Sequence, residues 1–216
     1  MQIIYIITCV ALYPGILVTK AVGLDAVSDI LIPVFVFLAF SYTLYQWRSN
    51  KQNGLMCLAF LFILIGDVSI NLLSYKPGAV VFFMTHILLT ILFLRLQPFQ
   101  KSDLRLLPVF LLIALIYFLM VFPDLHFASI PHLVLLIGLV LYLSLLSVMV
   151  WRAVCLPKQY IVLVIGALLF YATDLVVLLN VIYIEKIFKI VTWLLYPPAL
   201  FLLSFAVITP RVSGEG

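Results

Sequence analysis

Two aspartates, Asp67 in Ile65-Gly-Asp-Val-Ser69 and Asp174 in Tyr171-Ala-Thr-Asp-Leu175, stand inside long apolar runs of this 216-residue chain. Even on the lenient insertion scale, a carboxylate at mid-membrane depth costs about 3 kcal/mol, so such residues usually face a cavity and act. The plainer reading is a polar clamp between neighbouring helices. Two carboxyl groups sharing a low-dielectric cleft do not both ionise readily, and the roles of acid and base separate between them. That pairing suits a reaction passing through an oxocarbenium-like cation. It suits proton-coupled transport equally well.

Other polar groups approach the same depth. Counted at a rise of about 1.5 Å per residue, Asp67 and Asp174 lie roughly 20 and 21 Å from the starts of their helices. His86, on a helix running the other way, falls roughly 18 Å from that same side of a core about 30 Å thick. The three therefore share a layer. Asn71, four residues after Asp67, shares its helix face. Tyr13 precedes Pro14-Gly15, which reads as a kink, and Tyr196 precedes Pro197-Pro198, which reads as an interruption that frees backbone carbonyls. At the outer mouth Lys20 gathers with Asp25, Ser28 and Asp29, placed to hold a lipid phosphate or simply to snorkel.

Metal and nucleophile chemistry find less support. His86, His126, His132 and an aspartate make a zinc site conceivable, but no HxxxH pair exists. No GxSxG elbow is present for a serine hydrolase. The three cysteines have no CxxC spacing, and their odd number argues against a disulfide framework. The residues imply neither a metal nor an organic cofactor.

The elements that must carry these groups are membrane spans. Hydrophobic residues make up 67% of the chain and charged ones 9%, against about 45–50% and about 25% in soluble domains. A mean hydropathy of +1.33 leaves too little polar surface to cover a soluble globule. The apolar runs are continuous, which excludes the alternating strands of a membrane barrel. The expected fold is all-α: a single domain over residues 1–216, with eight transmembrane helices in one bundle. The punctuation places them at 2–19, 28–47, 54–73, 78–94, 104–122, 130–151, 160–182 and 187–208. Arg48-Ser-Asn-Lys-Gln-Asn53 and Lys76-Pro-Gly78 mark turns, and Pro98 and Pro123 sit just past helix ends. Met1–Thr19 lacks a basic n-region and a small-residue cleavage site, so it reads as the first span and not as a leader.

With eight spans, one side carries Arg48, Lys51, Arg95, Lys101, Arg105, Arg152, Lys158 and Arg211, and the other carries Lys20, Lys76, Lys186 and Lys189. This bias predicts both termini in the cytoplasm. The net charge of +4 is confined to loops and forms no nucleic-acid stripe. A faint echo links Leu61-Phe62…Asp67…Leu72-Leu73 with Leu169-Phe170…Asp174…Leu178-Leu179, as a parallel duplication would.

Three blocks carry a resemblance. Leu58-Ala-Phe-Leu-Phe-Ile-Leu-Ile-Gly-Asp67, Phe82-Phe-Met-Thr-His86 and Gly166-Ala-Leu-Leu-Phe-Tyr-Ala-Thr-Asp174 together resemble the YhhN-like lysoplasmalogenase family of eight-span membrane proteins. Its elements are a GD pair, an F-x-x-x-H in the next helix and a GAxLFxxSD run near the end. Thr173 stands at the serine of that run. Lys20 is followed by Ala21 where the family often has proline, and Tyr196 by Pro197-Pro198 in place of a Gln-containing stretch. The resemblance implies hydrolysis of the vinyl ether bond of lysoplasmalogens, giving a fatty aldehyde and a glycerophospho-alcohol. It implies Asp67, Asp174 and His86 as catalytic residues and Lys20, Asn71, Thr173 and Tyr196 as substrate contacts. Its partners are an ether lysophospholipid and the surrounding lipids.

Overall fold

The computed structural model describes residues 2–72, 75–122, 132–183 and 186–206. Within these it leaves the side chains at 25, 26, 71, 72, 75, 76, 132–135, 181, 182 and 186 undescribed. The described chain forms eight α-helices and no strand: α1 (Gln2–Val22), α2 (Asp25–Ser49), α3 (Gly54–Leu72), α4 (Tyr75–Leu96), α5 (Leu107–Val121), α6 (His132–Val154), α7 (Ile161–Tyr183) and α8 (Lys186–Phe205). Each is long and apolar enough to cross a bilayer, α5 only with the 3-10 turn Lys101–Arg105 that precedes it. Such a segment must satisfy its backbone polar groups internally, and a helix does so along its own length.

Six of the helices close a ring in which α2, α3, α4, α6, α7 and α8 each contact the next and α8 returns to α2. α1 lies outside the ring against α2 and α8, and α5 lies outside it on α6. The outer faces of α1 and α5 expose Ile3, Ile7, Leu112, Leu115 and Leu119, as lipid-facing surfaces do. The main core runs through the ring, with Phe60, Ile63, Phe93, Leu146, Phe170 and Leu203 buried in it.

Glycines set two of the closest approaches. A Cβ on Gly78 of α4 would lie 2.3 Å from Ile70 Cγ1 and 3.1 Å from the carbonyl oxygen of Gly66 in α3. A Cβ on Gly166 of α7 would lie 2.9 Å from the backbone nitrogen of Leu203 in α8. In lipid, where apolar burial gives helices no net drive to associate, small residues of this kind allow the backbone contact that holds them together.

Three expectations need correction. Lys76-Pro77-Gly78 is not a turn between helices but lies in the first turn of α4, where a proline has no intrahelical hydrogen bond to lose. Pro197-Pro198 does not interrupt the last span, since α8 runs through it unbroken. Pro198 cannot donate to the carbonyl of Leu194, four residues back, and the hydroxyl of Tyr13 donates to that oxygen instead at 2.8 Å. α1 likewise continues through Pro14. Third, Arg152 is no loop charge. It is 1% exposed and donates from Nη1 to Asp103 Oδ2 and from Nη2 to the Gln97 carbonyl, each at 2.6 Å. Trp151 Nε1 adds a bond to the Asp103 carbonyl at 2.7 Å. This pair pins the α4–α5 connection to the end of α6.

Candidate intramembrane site

The glycine contacts place the polar layer. α7 and α8 run antiparallel and touch where Gly166 meets Leu203. Eight residues onward in α7 is Asp174 and seven residues back in α8 is Tyr196, so each stands about 10–12 Å from that contact and at one level. On the other side, Gly66 lets the ring of Phe82 lie against α3; a Cβ there would be 2.9 Å from Phe82 Cε2. The residue after Gly66 is Asp67, and one turn past Phe82 is His86. The glycine of the GD pair and that of the run ending at Asp174 therefore have packing reasons for their places.

Inside the ring the polar groups meet. Tyr196 donates its hydroxyl to Asp67 Oδ2 at 2.8 Å, both groups buried. His86, fully buried, brings Nε2 to 3.2 Å from Asp174 Oδ2. That pair is within ionic reach without an aligned hydrogen bond, and among the described residues no other donor satisfies the oxygen. Asp174 lies within electrostatic range of both Asp67 and Tyr196. Between the two pairs stands Phe170, its ring centroid 5.4 Å from that of His86 and 6.2 Å from that of Tyr196. Two carboxyl groups, an imidazole and a phenol from α3, α4, α7 and α8 thus share one water-poor interior. Such a site can move a proton and hold a transient cation between carboxylates.

The remaining expected residues fall at different distances from this centre. The Thr173 hydroxyl donates to the Leu169 carbonyl of its own helix at 2.8 Å. Lys20 is buried in the last turn of α1, its Nζ 3.0 Å from Asp29 Oδ1 and 5.3 Å from the centroid of the Trp193 ring. Trp193 in turn packs edge-on against Tyr196 at 5.8 Å, so ring contacts lead from Lys20 to Asp67. The side chains of Asn71, Asp25 and His132, and all of His126, lie outside the described residues. Among the described residues no three of His, Cys, Asp or Glu converge as metal ligands would.

Two groups at the site went unread in the sequence. Tyr142 and Met149, both in α6, reach the two ring nitrogens of His86: Tyr142 Oη is 3.4 Å from Nε2, and Met149 Sδ is 3.4 Å from Nδ1. A further tyrosine, Tyr117 of α5, donates to the carbonyl of Leu175, next to Asp174.

Eight apolar helices around a buried group of carboxyl, imidazole and phenol define a multi-pass integral membrane protein with its polar centre inside the bundle. The model of the YhhN family matches residues 27–207, and the chain belongs to that family, the lysoplasmalogenase family. No curated protein and no solved structure matches the chain.

Proposed function

We propose that this protein hydrolyses the vinyl ether bond of a lysoplasmalogen within the membrane. The observation that carries the reading is the meeting of His86 with Asp174, in electrostatic range of a second buried carboxyl group, Asp67. Family membership supports it independently.

The two carboxyl groups have different neighbours, which divides their tasks. Asp174 faces an imidazole that can take or return a proton, so it serves as the acid. Asp67 accepts a hydrogen bond from Tyr196 and serves as the acceptor facing the cation. Asp174 gives its proton to the outer vinyl carbon, and the double-bond electrons leave an oxocarbenium ion opposite Asp67. Water adds to the carbon bonded to oxygen and loses a proton to the Asp174–His86 pair, giving a hemiacetal. That proton then moves to the ether oxygen as the carbon–oxygen bond breaks. The hemiacetal hydroxyl loses its own proton to the pair. One water is consumed, one aldehyde and one glycerophospho-alcohol are released, and Asp174 ends protonated as it began. Lys20, at the mouth, receives the phosphate, displacing its contact with Asp29.

The test is incubation of detergent-purified protein with an alkenyl lysophospholipid while following aldehyde release. Asp67→Asn and Asp174→Asn run beside it, each checked for wild-type elution and unfolding temperature. Aldehyde from the wild type and at least 100-fold less from both folded variants is the expected result, the loss of a positioned acid or base being worth on the order of 10²–10⁴. Wild-type turnover in folded Asp67→Asn would end the two-carboxylate mechanism. A folded wild type that releases no aldehyde would end the reading itself.

A further inference from the structure

A neutral imidazole has one N–H and one lone pair, and the partner of one nitrogen decides the role of the other. The two nitrogens of His86 have unlike surroundings. Nε2 faces two groups that exchange protons, the Tyr142 hydroxyl at 3.4 Å and the Asp174 carboxyl at 3.2 Å. Nδ1 faces the thioether of Met149 at 3.4 Å. A thioether has no proton to give and is only a weak acceptor. His86 and Met149 are both fully buried, so water cannot stand in for a missing partner.

These surroundings order the tautomers. With its proton on Nε2, His86 would press a bare Nδ1 lone pair against the lone pairs of sulfur, leaving a buried acceptor unsatisfied. With its proton on Nδ1, the ring donates to sulfur and Nε2 is free to accept from Asp174 or Tyr142. We propose that Met149 is a positioning residue that fixes His86 as the Nδ1–H tautomer, so that Nε2 is the nitrogen exchanging a proton with Asp174. The consequence for catalysis rests on the function proposed above, but the tautomer does not.

α6 is held where this requires. One turn beyond Met149, Arg152 is clamped to Asp103 and to the Gln97 carbonyl, and Gln97 adjoins the end of α4, the helix that carries His86. Met149 and His86 therefore belong to elements tied together at one end, which holds their backbones in register.

The test has two readouts. In ¹⁵N-histidine-labelled protein carrying His126→Gln and His132→Gln, the remaining signal belongs to His86. Nδ1 in the shift range of a protonated ring nitrogen with Nε2 in that of a bare one is the expected result, and both nitrogens in the protonated range would overturn the neutral tautomer. Nδ1 in the range of a bare nitrogen overturns the proposal. The second readout compares Met149→Leu with Met149→Gln. Leucine keeps volume and apolarity but removes the acceptor, whereas glutamine keeps the length and offers a carbonyl oxygen. If sulfur acts as acceptor, Met149→Leu lowers kcat for aldehyde release about 10-fold with KM unchanged, and Met149→Gln restores it to within about threefold of wild type. If Met149 only fills space, leucine is the better replacement and a buried amide the worse, and that order also overturns the proposal. Should the wild type release no aldehyde, the proposed function fails while the nitrogen shifts still decide the tautomer.

Discussion

Tyr196→Phe isolates one hydrogen bond at the site. The hydroxyl donates to Asp67 Oδ2 at 2.8 Å with both groups buried, while the ring packs on Phe170 and Trp193. Phenylalanine keeps those ring contacts and removes only the donor. A hydrogen bond to a charged partner contributes about 1.5–3 kcal/mol, and each 1.36 kcal/mol of barrier is a factor of ten in rate. If Asp67 must be held as an acceptor when the cation forms, kcat/KM for aldehyde release falls about 10- to 150-fold. The loss should appear mainly in kcat, because the bond acts where charge develops and not where the lipid binds. The assay is continuous oxidation of the released aldehyde by a coupled dehydrogenase in detergent micelles, with thermal unfolding measured on the same preparation. A Tyr196→Phe protein within about twofold of wild type, beside an inactive Asp67→Asn, would refute the argument that Tyr196 holds Asp67 for catalysis.

Four further outcomes follow from the packing. Gly166→Ala sets a methyl group 2.9 Å from the Leu203 backbone nitrogen and should cost about 1–3 kcal/mol in unfolding free energy. Gly138→Ala, with nothing within 4 Å of its Cβ, should gain about 0.5–1 kcal/mol in the same denaturation experiment. Tyr13→Phe leaves the Leu194 carbonyl without its donor and should destabilise the protein by about 1–3 kcal/mol. In a Pro198→Ala background, where the backbone N–H returns, a double-mutant cycle should show most of that cost gone. Asp103→Asn strands Arg152 in the interior and should destabilise by about 3–5 kcal/mol, whereas Asp103→Leu combined with Arg152→Met should cost less than either single change, both read from unfolding midpoints.

Much of this architecture was legible because the bilayer simplifies the code. A run of about 20 apolar residues has one stable form, so eight such runs gave eight helices, with ends displaced by two or three residues at α1, α2, α4, α5, α6 and α8. An acid inside such a run is conspicuous for the same reason, which is how Asp67 and Asp174 stood out. Helix rise placed His86 at their depth, and the structure brings it to Asp174. The helix partners could not be read, because depth fixes one coordinate and says nothing of rotation or neighbour. Tyr142 was one tyrosine among eleven and Met149 one apolar residue among many, with nothing in their spacing to tie them to His86. Arg152 was misread because a basic residue at a helix end ordinarily meets water or headgroups. Its burial depends on Asp103, which is distant in sequence and arrives from another loop.

The bond between Tyr13 and Leu194 also bears on how the chain is made. It joins α1 to α8, far apart along the chain, and the hydroxyl pair of Tyr5 and Ser204 ties the same two helices at a second point. Until α8 is inserted, two tyrosines of α1 wait without these partners. Until α1 docks, α8 carries a carbonyl that its own proline cannot serve. A polar group left open in hydrocarbon costs several kcal/mol, so nascent chains arrested before α8 should be recognised as incomplete by the membrane's quality-control proteases. The proline that breaks a local rule thereby makes the insertion of α8 the event that closes α1 onto the bundle.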